Sequence, residues 1–404
     1  MSVHPVDAER RPCSLPSATA PFAQGGDRAL RLVQMSHARL VALLDDARFE
    51  RVVPGALGAV CIGAAGSHAG AAERMLAGRV PDLPVAPVQM ALLGADAAPD
   101  DAVCEFWQCD AHDLRSERHG ALHYRYSESA GLVFGSLVVH EAQAAHDPQH
   151  GGDTPLERAT FDAYRMLFDL LDTLGMPHPL RIWNTVPAIN AVQFGIERYR
   201  QFNIGRQHAF DACRRALTGG VPAACALGSV VPVAGDAPPA APLAIHFLAS
   251  RTPADPVENP RQVSAFHYPA QYGPRAPTFA RAAAWGDGDA APVLFVSGTA
   301  SIVGHRTVHH GDVVAQTRET VANLAAVLGQ AARQGHGPFS LADLSYRVYV
   351  RDAGDAAALA AIGRVLRDAA GPHVRPLFVH ADVCRDDLLV EIEASAGHAM
   401  EWLS

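Results

Sequence analysis

The chain has little of what marks a secreted, membrane-bound or metal-built protein. Its seven cysteines are odd in number and scattered, with no Cys-x-x-Cys pair. That spacing argues against a disulfide framework and a zinc site, and it points to the reducing cytoplasm. No apolar run is long enough to span a bilayer, and the first ten residues lack the apolar stretch of a secretion signal. Basic charge is in deficit, with 33 Lys and Arg against 42 Asp and Glu and a net charge of −9. This balance argues against nucleic acid and anionic membrane as partners, and an anionic ligand would need a local cluster of arginines. Familiar catalytic motifs are missing too. Gly55 to Gly66 is glycine-rich but holds no Gly-x-Gly-x-x-Gly fingerprint and no P-loop lysine. Gly-x-Ser-x-Gly does not occur, which removes the nucleophile elbow of α/β-hydrolases. His305, His309 and His310 cluster without a cysteine or carboxylate at ligand spacing, so no metal is expected.

What is present is the composition of a soluble globular enzyme: 404 residues, 49% hydrophobic and 19% charged. The length is enough for two or three domains. Residues 1–27, rich in Pro, Ala and Ser, read as a disordered tail, and 28–130 read as an N-terminal α/β region. Two later segments share one order of parts. The first runs from a strand at Gly131 through Gly152-Asp153 to a helix presenting Phe161, Tyr164, Leu167, Phe168 and Leu171, then to a strand at Leu180. The second runs from a strand at Val293 through Gly311-Asp312 to a helix presenting Val321, Leu324, Val327 and Leu328, then to a strand at Tyr346. Apolar steps of three and four suit helices lying on a sheet, and the shared order points to an ancient duplication. The second copy continues with a helix from Asp355, an N-cap, to Ala370 before Gly371-Pro372, then strands near Val374 to Val383 and Leu388 to Glu393. Ala234 to Pro242 is a loop by composition, and Trp285 to Pro292 reads as the link between copies.

The stretch Val257 to Arg281 has neither helical nor strand periodicity. It carries Arg261, Arg275, Arg281, Tyr268, Tyr272, one His and four Pro in 25 positions. A proline-stiffened loop with Arg and Tyr suits capture of a small anion, since guanidinium forks hold carboxylates at two points. An ordinary surface loop fits the composition as well. In Leu388-Leu-Val-Glu-Ile-Glu393, strand alternation puts Leu389, Glu391 and Glu393 on one face. A carboxylate beside apolar neighbours is desolvated and its pKa rises toward values useful to a general acid, although a solvated face would show the same pattern.

Together with Arg181-Ile-Trp-Asn-Thr-Val-Pro-Ala-Ile-Asn190 and Glu197-Arg-Tyr-Arg-Gln-Phe-Asn-Ile-Gly-Arg206, the loop resembles the chorismatase family from about Gly131 onward. The ending Leu-Leu-Val-Glu-Ile-Glu-Ala also resembles the Rid (YjgF-like) superfamily, an α/β fold whose mixed sheet is covered on one face by two helices. The implied architecture is two Rid-like α/β units in one chain (131–285 with substrate-binding loops, 286–404 catalytic) with an N-terminal α/β extension. A monomer with internal pseudo-symmetry is expected.

The resemblance implies chorismate as substrate, cleaved to pyruvate and 3-hydroxybenzoate, with 4-hydroxybenzoate made by some members and no cofactor. It makes Glu391 the acid and Cys384 the position that separates 3-hydroxybenzoate producers from hydrolytic members. Arg206, Arg275 and Arg281 are candidate carboxylate clamps with Tyr272 as a donor, and Arg375 matches a carboxylate-binding arginine of Rid proteins. Arg198 and Arg200 fall on a helix and read as solvated. The alternatives are a hydrolytic chorismatase giving a dihydroxycyclohexadiene carboxylate, a Rid-type imine or enamine deaminase using Glu391 and Arg375, and a non-catalytic ligand sensor.

Overall fold

The computed structural model describes residues 30–44, 46, 49–53, 55–94, 101–141, 153–286 and 292–403. The expected tail at 1–27, Gly152 and the middle of the expected link after Trp285 lie outside them.

The described chain folds as three α/β units that share one strand order. The N-terminal unit holds β1 (Leu30–Ser36), α1 (His37–Leu43), α2 (Phe49–Val52), β2 (Ala56–Gly63), α3 (His68–Arg79), β3 (Val85–Gln89) and β5 (Ala102–Cys109), while β4 (Leu92–Leu93), between β3 and β5 in the chain, pairs with the third sheet. The second holds β6 (Arg115–His119), β7 (Leu122–Ser127), β8 (Leu132–Val139), α4 (Pro155–Thr173) and β9 (His178–Pro187). It continues with the small hairpin β10 (Val192–Gln193) and β11 (Ile196–Glu197), then α5 (Arg198–Ala212), β12 (Ala223–Ser229) and β13 (Leu243–Ser250). The third holds β14 (Asp255–Val257), β15 (Ala282–Trp285), β16 (Val293–Ala300) and the hairpin β17 (Ile302–Val303) and β18 (Arg306–Thr307). It ends with α6 (Val313–Arg333), β19 (Ser345–Val350), α7 (Ala356–Ala370), β20 (Leu377–His380) and β21 (Val390–Ala396), and β22 (Ala399–Leu403) closes the chain.

The three sheets run β1-β5-β2-β3, β8-β13-β9-β12 and β16-β21-β19-β20 at their centres. In each, the last strand of the unit pairs antiparallel between the first and second strands, and the second and third are parallel. The duplication read from sequence is therefore present, and the N-terminal region is a third, shortened copy. Its first helix, α1, has 7 residues where α4 has 19 and α6 has 21. So short a helix carries little periodic signal.

The sheets also cut across the expected boundaries. β6 and β7 extend the second sheet, β14 and β15 extend the third, and β22 returns to pair with β1. Backbone pairing, rather than position in the chain, decides which unit a strand completes. The helix starts follow their caps: Asp312 and Asp355 accept from backbone N–H groups of α6 and α7. In the earlier copy Thr154 caps α4, in a box with Glu157 and with Pro155 in the first turn. The strand expected over 374–383 is confined to β20, since Pro372 and Pro376 break the run before it.

Each helix pair covers one face of its sheet. Val390, Ile392, Ala394 and Ala396 of β21 pack with Leu324, Val327 and Leu366 of α6 and α7. The alternate residues Glu391, Glu393 and Ser395 are consequently turned to the opposite face, where the units meet. Among the described residues no helix is long and apolar enough to cross a membrane.

Candidate active site

A cavity of about 340 Å³ lies between the second and third units, and Glu391 is part of its lining. Three local features make the space. Ala224, Gly298 and Ala300 supply small walls. At Gly298, β16 bulges between Val296 and Thr299, and a Cβ there would sit 1.9 Å from Glu391 Oε1. Only glycine leaves the carboxyl its place. The bulge is pinned by Ser297, whose Oγ accepts from Ala224 N at 2.9 Å and donates to Ala280 O at 2.5 Å.

Helix α5 presents Tyr199 and Arg206 to the cavity; seven residues is two turns, so both stand on one face. Arg206 is 2% exposed, donates to Asn203 Oδ1 at 2.9 Å and lies 5.0 Å from the Phe202 ring centre. The loop before β15 contributes Tyr268, Tyr272, Phe279 and Arg281. It is tied to the third unit rather than loose: Arg261 pairs with Glu319 at 2.5 Å and donates to Asn323 at 2.7 Å. Arg281 is 5% exposed and donates to Val263 O and Tyr268 Oη, each at 2.8 Å.

The segment before β21 supplies Cys384 and Arg385. Arg351 holds it, donating to the carbonyls of Val383, Arg385 and Leu388 at 2.8–3.0 Å and pairing with Asp382 at 2.6 Å. The Arg385 guanidinium lies 4.0 Å from the Tyr272 ring centre and 5.2 Å from that of Tyr268. Tyr272 in turn meets His305 Nδ1 at 3.2 Å. Arg206 Nε, Arg281 Nε and Arg385 Nη2 are buried without a hydrogen-bond partner. Three braced guanidinium groups thus bring spare donors to one cavity, which Glu197, Asp386 and Asp387 also line, and such donors can receive an anion.

Burial, reinforced by the negative charge of Glu393, pushes the Glu391 carboxyl up to about 8, with Arg181 and Arg281 partly opposing. At neutral pH it holds a proton it can give. Burial likewise pushes the Cys384 thiol up to about 12, and its Sγ lies 3.9 Å from Glu391 Oε2. Cys384 is therefore a neutral thiol beside the acid, not a thiolate nucleophile. The chain contains no lysine, so a lysine Schiff base is ruled out within it. Among the described residues no cluster of His, Cys, Asp or Glu is arranged to hold a metal ion.

Of the residues singled out from sequence, Glu391, Cys384, Arg206, Tyr272 and Arg281 come together here. Arg275 does not: it is exposed and absent from the cavity wall. Arg375 lines a separate open depression with His398 and Trp402. Arg198, expected in solvent, is 0% exposed and held by Glu141, Gln193 and the Pro187 carbonyl. Arg200 fits the expected outer helix face better, half-open at the cavity rim and paired with Glu197 at 3.3 Å. Sequence reasoning missed Arg385, Tyr199, Phe279 and Gly298. Arg385 adjoins Cys384, and that adjacency was the available signal.

The family model described as "Chorismatase FkbO/Hyg5-like, N-terminal" matches residues 105–249. A 3-hydroxybenzoate synthase of Streptomyces hygroscopicus is 38% identical over 303 residues, covering 72% of this chain and 80% of that protein. The chain belongs to the chorismatase family. A chorismatase of Streptomyces rapamycinicus is 39% identical over 245 residues, covering 58% of this chain and 68% of that one. A crystal structure of a chorismatase superposes with a TM-score of 0.67 at 27% identity, over 94% of this chain and 96% of its own. The chorismatase fold thus extends over the N-terminal unit as well.

Proposed function

We propose that the protein cleaves chorismate to 3-hydroxybenzoate and pyruvate, with Glu391 as the general acid. The observation that carries this reading is a buried, proton-holding carboxyl set in a cavity walled by Arg206, Arg281 and Arg385. Chorismate is a dianion, with a ring carboxylate and an enolpyruvyl carboxylate, and charge-assisted guanidinium bonds suit both.

Glu391 gives its proton to the enolpyruvyl methylene, and the side chain becomes an oxocarbenium-like leaving group. The ring's own 4-hydroxyl attacks the neighbouring ring carbon as that carbon's bond to the side-chain oxygen breaks. Pyruvate leaves, and the hydroxyl proton returns to the Glu391 carboxylate. The arene oxide opens and loses a ring proton to give 3-hydroxybenzoate, its opened oxygen taking one up. The two products together contain all the atoms of chorismate, so the balance needs neither water nor a redox partner. Cys384 supports this route over the hydrolytic one, since a neutral thiol beside the acid occupies space that water would need. The deaminase alternative would use Glu391 with an arginine such as Arg375, and Arg375 lines a different depression from Glu391.

The protonated form is the working one, so turnover is high at neutral pH and falls as pH rises through about 8. The test is chromatography of the products from purified protein and chorismate. Pyruvate and 3-hydroxybenzoate in equal amounts are expected. Absence of pyruvate would refute the reading, and pyruvate with a diene diol would assign the hydrolytic reaction instead.

A further inference from the structure

The three units meet along a buried file of paired charges. Glu105 of β5 accepts from Arg347 of β19 and from Gln34 Nε2 of β1, the latter at 2.8 Å. Arg347 also pairs with Glu393 Oε1 of β21 at 2.9 Å and donates to the Tyr349 hydroxyl at 3.2 Å. The other Glu393 oxygen pairs with Arg181 of β9 at 2.5 Å, and the Trp183 indole N–H donates to Glu393 at 3.2 Å. Glu105, Arg347, Glu393 and Arg181 are 2, 8, 5 and 2% exposed. Two carboxylates and two guanidinium groups sum to zero, so the file has no net charge to offer a fifth group.

Glu391 is that fifth group, two residues from Glu393 on the same face of β21. The charged groups facing it are Glu393 on its own strand, Arg181 on β9 and Arg281 at the start of β15. Cys384, Cys225 and Tyr199 face it as neutral donors. Arg206 and Arg385 stand on the same cavity wall. Burial opposes ionisation of Glu393, but Arg347 and Arg181 outweigh it and hold that carboxyl below its usual range. Glu393 thus stays ionised between its two arginines.

We propose that Glu105 and Arg347, neither of which lines the cavity, are positioning residues that keep the file neutral so that Glu391 retains its proton. The N-terminal unit takes part in the reaction through one carboxylate rather than through contact with substrate. The inference rests on Glu391 being the acid. Its signature is a pair of opposite shifts. Removing the Glu105 charge leaves the file with one positive charge in excess, which reaches Glu391 through Glu393 and Arg181 and favours its ionised form. Removing the Arg347 charge leaves an uncompensated anion and favours the protonated form. A merely structural file would not move the two in opposite directions.

The test is infrared titration of the protonated-carboxyl band that Glu391→Gln abolishes, read alongside the pH profile of kcat with chorismate. Glu105→Gln should lower the Glu391 midpoint by about one pH unit, Arg347→Met should raise it by about one unit, and the double variant should return it to the wild-type value. Arg347→Lys keeps the charge and should restore the wild-type midpoint. If Arg347→Met does not fold alone, adding it to Glu105→Gln must still raise the midpoint by about one unit. Unmoved midpoints, or shifts in one common direction, overturn the proposal. Opposite band shifts that the kcat profile does not follow would instead overturn Glu391 as the acid.

Discussion

The junctions on either side of the second unit use the same strand order and end as different things. Where the first unit meets the second, the Phe134 ring lies against Gly58, whose added Cβ would stand 2.0 Å from it. Arg125 donates to Ala56 O at 2.8 Å and Ser136 to Val85 O at 3.2 Å, and the space is core. Where the second unit meets the third, Gly298 of β16 is crowded by the carboxyl of Glu391 on the neighbouring strand β21 of its own unit. In one junction a glycine accommodates a ring that seals; in the other it accommodates an acid beneath an open cavity. The sheet order supplies a seam, and a few side chains decide whether the seam is structure or site.

Substitutions that trade the two characters test this comparison. Phe134→Ala should cost about 3–5 kcal/mol of stability, the loss for a buried phenyl ring, while activity per folded molecule stays near wild type. Denaturant unfolding measures the first and active-site titration the second. Gly298→Ala should do the reverse: the fold survives, but the Glu391 carboxyl is displaced and turnover falls about 100-fold, as misplacement by about 1 Å can cause. Steady-state pyruvate release reads it. Arg281→Ala and Arg206→Ala each remove a charge-assisted bond of about 1.5–3 kcal/mol and should raise the chorismate requirement about 10- to 100-fold. Arg275→Ala, out in solvent, should leave kinetics unchanged, and kcat and KM of all three variants check the contrast. Cys384→Ala should change the rate little and the product more. It should shift product from 3-hydroxybenzoate toward the diene diol with pyruvate still released, which chromatography at matched conversion would show.

Sequence reading worked where the signal is local. Strand alternation is enough to place Glu391 and Glu393 on one face, and Asp355 caps the helix it precedes. It faltered where a partner distant in the chain sets a residue's role. Arg198 sits on a polar helix, and the carboxylate that meets its buried charge is that of Glu141, 57 residues earlier. Arg375 occupies a plausible place before the final strands, yet it lines a different depression from Glu391. Gly298 reads as one more glycine in a strand, since the atom it makes room for lies 93 residues further on. The N-terminal copy was hidden because α1 is a third as long as α6 and β22 completes its sheet from the other end of the chain.

The central claim is that Glu391 donates the proton that releases pyruvate. Glu391→Gln keeps the shape and the hydrogen-bonding capacity but has no proton to give. Chorismate binding by calorimetry should persist while pyruvate release falls about 10²–10⁴-fold, the usual contribution of a general acid. Near-normal pyruvate release from a folded, chorismate-binding Glu391→Gln protein would contradict the account.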